Sequence, residues 1–208
     1  MRLLVATTNR NKMQEIRSLL AGAPIELVTL EAWPKLEAPE ETGRTFEENA
    51  RAKALYYADA TGELTVAEDS GLEIDALGGA PGVESASFGG ADTTYPEKLA
   101  LIDKRLRAVG ELDSPARFVC ALALARDDRV LFETRGVVEG RIAGKPAGAG
   151  GFGYDPIFFH PPYGRTLAEA TAEQKAAVSH RGQAFRALRR YLEESWPRRH
   201  EGTKNNLY

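Results

Sequence analysis

Glu68-Asp69-Ser70-Gly71 follows directly on the apolar run Leu64-Thr65-Val66-Ala67. Carboxylates at a strand end supply the hard oxygens that Mg2+ prefers. Successive strand side chains face opposite ways, so both acids reach one cleft only if the chain turns, and Ser70-Gly71 predicts such a turn. An ordinary Asx turn would use the same residues. Glu40, in the acidic loop Pro39-Glu40-Glu41-Thr42-Gly43, is a second candidate oxygen donor if that loop folds over the strand end; otherwise the loop is simply solvated. Near the N-terminus, Thr7-Thr8-Asn9-Arg10-Asn11-Lys12 sets hydroxyls, amides and cations before a helix, where free N–H groups and the helix dipole attract phosphate. The Gly-x-x-x-x-Gly-Lys spacing of a Walker loop is missing, and N-capping by Asn9 or Asn11 accounts for the same residues.

A second kind of chemistry lies in Gly148-Ala149-Gly150-Gly151-Phe152-Gly153-Tyr154-Asp155-Pro156. Glycines let a backbone come close to a flat group, Phe152 and Tyr154 offer stacking faces, and Asp155 is an acceptor. A planar ligand held against main chain fits this composition, and so does a tight turn between strands. Ser179-His180-Arg181-Gly182 opens the last helix with basic residues, against the dipole preference, which points to an anionic or acceptor-rich ligand. Lys175 lies just upstream. Lys53, one turn beyond Asn49, faces either a phosphate or the surface, where it would pair with Asn49 or Glu48. Cys120 lies in Val119-Cys120-Ala121-Leu122-Ala123-Leu124-Ala125 and is expected as a buried strand thiol, not a nucleophile.

These residues need a scaffold, and the periodicity supplies one. Arg2 to Ala6 and Ile25 to Leu30 read as buried strands, with a helix between them carrying Met13, Ile16, Leu19 and Leu20. Thr45-Phe46-Glu47-Glu48 is a capping box that starts a helix to about Ala60, ended by Gly62. Gly78 to Gly82 is a tight loop and Tyr95 to Val109 a helix. Phe118 to Arg126 and Val130 to Val138 form a hairpin across Asp127-Asp128-Arg129. Leu167 to Ala177 and Gln183 to Trp196 are helical. The expectation is an α/β fold with a mixed sheet and the polar loop of the first β-α unit at the strand's C-terminal end, where ligands bind in such sheets. Residues 1–196 are expected to form one domain of two lobes; 197–208, polar and without period, are expected as a disordered tail.

Composition limits the partners. The 208 residues are 43% apolar with a net charge of −3, so no global positive field draws the chain to nucleic acid. No apolar run approaches membrane-spanning length, and the N-terminal run before Thr7 is too short for a secretion signal. A single cysteine suits a reducing compartment, and a cytoplasmic location is expected.

Taken in order, Ala6 to Lys12, Glu40 to Gly43, Phe46 to Ala50 with Lys53-Ala54, Glu68 to Leu72, Leu77 to Gly82, Gly150 to Pro156 and Ser179 to Gly182 strongly resemble the inosine triphosphate pyrophosphatase family over Leu3 to about Leu192. The resemblance implies an elongated mixed-sheet fold whose two lobes flank a central cleft. It implies Mg2+-dependent hydrolysis of ITP, dITP and XTP to monophosphate and pyrophosphate, by a protein that is usually a homodimer. Asp69 would be catalytic base and metal ligand, and Glu40 its partner ligand. Thr7, Thr8, Asn9, Arg10, Asn11 and Lys12 would cradle phosphates, with Lys53 as a further candidate. Ser70 would bind substrate, and Glu68 would help through a second metal or a water. Phe152 with Gly153 would stack on the purine, Tyr154 would pack beneath, and Asp155, Lys175, His180 and Arg181 would read the base. A donor aimed at the 6-oxygen favours hypoxanthine and xanthine over adenine, and guanine would be rejected at its 2-amino group.

Four positions depart from the family pattern: Thr8 and Asn11 stand where many relatives have Gly, Glu68 where bacterial relatives have Asp, and Ser87 where an Arg is frequent. A Maf-type pyrophosphatase shares the opening loop but not the Ser179-His180-Arg181 run. A non-catalytic nucleotide sensor would not need Asp69, Glu40 and Lys12 together.

Overall fold

The computed structural model describes residues 1–195. The expected tail, 197–208, and Trp196 lie outside the described residues. Seven strands form one sheet in the order β2-β1-β3-β4-β5-β6-β7, with β1 Arg2–Val5, β2 Glu26–Thr29, β3 Thr65–Ile74, β4 Pro115–Arg126, β5 Arg129–Ile142, β6 Phe158–His160 and β7 Arg165–Thr166. The β1–β2 and β1–β3 pairs are parallel and the rest antiparallel. The helices are α1 Arg10–Leu19, α2 Phe46–Thr61, α3 Tyr95–Val109, α4 Ala172–Val178 and α5 His180–Ser195. The expected mixed α/β architecture is therefore present.

Period-two alternation decides what each strand face meets. Val119, Ala121, Ala123 and Ala125 of β4 turn one way and pack with Leu4 and Ala67 against Phe46, Ala50, Ala54 and Ala58 of α2. Facing alanines let that helix lie close to the sheet. Cys120, Leu122 and Leu124 turn the other way, with Leu3, Val5 and Val66, onto Met13 and Ile16 of α1 and Phe185 and Leu188 of α5. Burying each such Leu or Phe stabilises by roughly 1.5–3 kcal/mol. The far ends of β3, β4 and β5 carry a separate core, Leu72, Ile74, Phe118 and Val138 with Ile102 and Leu106 of α3 and Phe158. The three long strands thus run through both lobes. β4 is buried on both faces, so it reads as continuous apolar sequence.

Three sequence expectations change. Ser70-Gly71 is no turn: β3 continues through it to Ile74. Gly71 is required because a Cβ there would lie 2.3 Å from Ser85 Oγ and 2.4 Å from the Gly82 carbonyl oxygen. The helix expected from Leu167 begins only at Ala172, because Leu167 N–H donates to Phe158 and the Ala168 carbonyl accepts from Gly150, so both belong to the β6 and glycine-loop network. The last helix starts at His180, as its basic opening implied, three residues ahead of the periodic range from Gln183. Elsewhere boundaries agree to within a few residues: the Thr45–Glu48 capping box forms, and Gly62 ends α2 in the left-handed region.

Candidate active site

β1 stops at Val5, and its pairing with β3 covers only Thr65 and Val66. The edge of β3 beyond that point is left without a neighbouring strand, and a cleft of about 310 Å³ opens against it. Chain leaving β1 forms one wall through Thr7, Thr8, Asn9 and Lys12. Asn9 caps α1, accepting from the N–H groups of Asn11 and Lys12 (3.0 and 3.1 Å). The open edge lets both faces of β3 contribute, without the turn that sequence required.

Asp69 shares the face of Ala67 and therefore meets α2. Asn49 Nδ2 donates to Asp69 Oδ2 (3.0 Å), and the Asn49 amide oxygen accepts from the Gly43 N–H (2.8 Å), which fixes the amide's orientation. Lys53, one turn further along α2, puts Nζ 3.1 Å from Glu41 and 3.7 Å from Asp69. Burial raises the Asp69 carboxyl above its ordinary value, opposed by Lys53 and Asn49. Lys53 is thus turned into the cleft, not to solvent.

Glu68 shares the face of Val66 and meets α1 and α5. Lys12 Nζ lies at 2.9 Å and Arg181 Nη2 at 3.1 Å from Glu68 Oε1, and Cys120 Sγ donates to Oε2 (3.1 Å). Burial pushes the Glu68 carboxyl up, but Arg181 and Lys12 outweigh it and hold the group well below the carboxylate range. Glu68 is thereby engaged as a counter-ion. Burial and then Glu68's charge push the Cys120 thiol well up, in keeping with an inert core thiol.

The glycine run supplies the opposite end. Asp155 Oδ2 accepts from the Phe152 N–H (2.7 Å) and from Lys175 Nζ. Glu15 of α1 bridges Lys175 and Arg181 at 2.8 and 2.7 Å, and both cations lie over the Phe152 ring, at 4.6 and 5.7 Å from its centroid. Burial raises the Asp155 carboxyl, with Lys175 opposing. His180 is stacked on Phe118 (4.9 Å between centroids, 14° between planes), and burial, then Arg181, lowers it far below the usual imidazole value, so it is neutral. Two buried atoms in this corner, His180 Nδ1 and Arg181 Nε, have no hydrogen-bond partner. Tyr154 packs beneath the loop as expected, its hydroxyl donating to the Ser85 carbonyl (2.8 Å).

A profile of the Ham1 family matches residues 3–191. The chain belongs to the Ham1 family. Among relatives of this Ham1-family chain, a dITP/XTP pyrophosphatase of Gloeobacter violaceus is 49% identical over 89% of this chain and 91% of its own length. A dITP/XTP pyrophosphatase of Exiguobacterium sp. is 45% identical over 90% and 95%. The solved structure of a HAM1 protein from Coxiella burnetii superposes with a TM-score of 0.87 at 39% identity, covering 93% of this chain and 99% of that one.

The Ham1-family cleft gathers Thr7, Thr8, Asn9, Lys12, Asp69, Ser70, Phe152, Gly153, Tyr154, Asp155, Lys175, His180 and Arg181, all anticipated from sequence. Three anticipated residues are placed elsewhere. Glu40 lies outside the cleft lining, while Glu41, equally on the exposed loop, lines it with Lys53 Nζ at 3.1 Å. Arg10 and Asn11 turn outward from the start of α1, toward neighbouring grooves. Glu15, Glu41 and Asn49 were not anticipated. Lys12 and Glu15 are three apart on α1, and Asn49 and Lys53 four apart on α2, so helical spacing alone put each pair on one face.

Among the described residues, no three or more His, Cys, Asp or Glu gather as a metal cage. The Glu41–Asp69 pair does share one cation, the Lys53 ammonium. Two carboxylates beside an opening lined by Thr7, Thr8, Asn9 and Lys12 fit Mg2+, a hard ion that keeps waters and completes its shell with substrate oxygens.

Proposed function

We infer that this chain hydrolyses deaminated purine nucleoside triphosphates (ITP, dITP and XTP) to the monophosphate and pyrophosphate, within a single catalytic domain. The observation that carries this reading is convergence: Asp69, Lys12 and Lys53 line the same cleft as Phe152, Lys175 and Arg181.

Charge balance explains the metal. Lys12, Lys53, Lys175 and Arg181 face Glu41, Glu68, Asp69 and Asp155, four cations against four carboxylates. Such a cleft has no net positive charge to neutralise a triphosphate, and phosphoryl transfer depends chiefly on positioning and charge neutralisation. Mg2+ held by Asp69 and Glu41 would supply that neutralisation. Thr7, Thr8, Asn9 and Lys12 hold the phosphate chain at the start of α1. Asp69, oriented by Asn49, positions the attacking water and takes its proton. The purine lies against Phe152, with Lys175 and Arg181 donating to its 6-oxygen and Asp155 holding Lys175 in place. Adenine would set an amino group against these donors, and a buried donor left unpaired costs roughly 1–3 kcal/mol. Guanine is turned away at its 2-amino group.

The test is turnover of ITP, dITP, XTP, GTP and ATP with Mg2+, measuring pyrophosphate and orthophosphate separately. Pyrophosphate from the first three is expected. Orthophosphate alone, or comparable turnover of all five, overturns the reading. A cytoplasmic homodimer that binds neither nucleic acid nor membrane completes the proposal, and light scattering gives its subunit number.

A further inference from the structure

Tyr95 begins α3 and lines the cleft, and at 36% exposure it is one of a few exposed large hydrophobic residues among those described. It is nevertheless fixed. Its backbone is set by the capping box of Thr94 and Glu97 and by Pro96 in the first turn. Its ring meets Tyr154 edge to face at 5.5 Å, and the Lys98 ammonium lies over it at 4.9 Å. Lys98 is itself buried and donates to the Ala86 carbonyl. The ring also closes over Gly153: a Cβ there would lie 3.4 to 3.6 Å from Cε1, Cζ and Oη of Tyr95. An aromatic ring with so many restraints has lost its rotational freedom before any ligand arrives.

The hydroxyl is different. It makes no hydrogen bond to any described residue, although the ring lines the same cleft as Phe152, Asp155 and Arg181. Burial, then the charge of Asp155, raises the phenol, while Arg181 opposes this; the hydroxyl is neutral and stands in the field of the groups assigned above to the base. A rigid neutral donor-acceptor without a partner, beside the Phe152–Gly153 turn, is a preorganised contact.

We propose that Tyr95 is a substrate-contacting residue, its hydroxyl forming a hydrogen bond to the nucleoside, and that it contributes to substrate selection. This rests on the nucleotide-hydrolysing reading above. Two parts of a nucleoside carry suitable partners, the purine edge and the ribose 2′-hydroxyl. The test is Tyr95→Phe, which keeps the ring and its contacts with Tyr154, Lys98 and Gly153. Steady-state kcat/KM is measured for ITP, dITP and XTP on wild type and variant, with thermal unfolding as control. Loss of one neutral hydrogen bond lowers kcat/KM roughly 3- to 10-fold. A loss for ITP and XTP with dITP unchanged places the bond on the 2′-hydroxyl; a loss shared by ITP and dITP places it on the purine edge. Unchanged kcat/KM for all three, with wild type active, overturns the role of Tyr95 while leaving the hydrolytic reading intact. Wild type inactive on all three overturns the reading itself.

Discussion

Glu68 is the residue whose role differs most between sequence and structure, and Glu68→Gln tests it. The carboxylate is 4% exposed and holds Lys12 at 2.9 Å and Arg181 at 3.1 Å. Breaking a buried ion pair by neutralising one partner typically costs about 3–5 kcal/mol, since it leaves a buried charge uncompensated. Two features reduce that here. Lys12 keeps 19% of its side chain in solvent and rehydrates, and Arg181 retains Glu15 at 2.7 Å. A cost of roughly 2–4 kcal/mol follows, and at about 2–4 °C per kcal/mol for a chain of this size Tm falls by roughly 4–16 °C.

The assay is thermal unfolding of wild type and variant in EDTA, from pH 7 to pH 3.5. EDTA removes any stabilisation that runs through a metal. Because the folded carboxyl is held well below its ordinary value, its stabilisation is complete above the unfolded pKa, about 4.3, and is lost as pH falls through the lower folded one. The gap between the two proteins is therefore constant from pH 7 to about 5 and narrows on further acidification. A Tm change under 2 °C at pH 7, or a gap that does not narrow between pH 5 and pH 3.5, would show that Glu68 is not the counter-ion of Arg181 and Lys12.

Asp69→Asn removes the base and a metal oxygen together, and kcat/KM for ITP is expected to fall by at least about 10³-fold with the unfolding curve unchanged; activity within a few-fold of wild type refutes the assignment. In wild type, kcat/KM falls as pH drops through the Asp69 pKa, which burial holds above the ordinary aspartate value. Glu41→Gln should raise the Mg2+ concentration for half-maximal rate about 10-fold, whereas Glu40→Gln, on the neighbour outside the cleft lining, changes it less than 2-fold. The reverse order would return the ligand to Glu40. Gly71→Ala forces a methyl against Ser85 Oγ and the Gly82 carbonyl and should destabilise by about 2 kcal/mol or more, read in urea melts; a neutral result would mean that the Gly82–Ser85 segment yields freely.

Local signals were legible where local physics decides. The Thr45–Glu48 box and Gly62 fixed both ends of α2, and the two-residue Asp127-Asp128 loop joins β4 to β5, with Asp127 at φ 54°. That Phe152–Asp155 and His180-Arg181 would meet at one cleft was also legible, because glycine clustering and cations at a helix start are anomalies that sequence displays. What stayed hidden was direction. Nothing in Glu40-Glu41 says which acid turns inward, since that depends on Gly43 docking on Asn49. Lys53 looked solvated because its partners, Glu41 and Asp69, are brought to it only by tertiary folding.

The adjacent acids show how an expectation can be right in outcome and wrong in mechanism. Alternation made it impossible for Glu68 and Asp69 to share a cleft on a covered strand, so a turn was required. The structure keeps the alternation and removes the cover. Because β1 ends at Val5, the cleft looks onto the bare edge of β3 and receives side chains from both faces. Parity then sorts the chemistry. Even-numbered Glu68 and Ser70 point to the α1–α5 face, where Arg181 Nη2 contacts both (3.1 and 2.9 Å), and odd-numbered Asp69 points to the α2 face, where Asn49 and Lys53 wait. One carboxylate thereby serves as counter-ion for Lys12 and Arg181, while its neighbour, held by Asn49 and Lys53, is the one the proposed reaction assigns to water and metal. Two acids in sequence acquire opposite roles because a strand has two faces, and they serve one site because that strand, at that point, has a single neighbour.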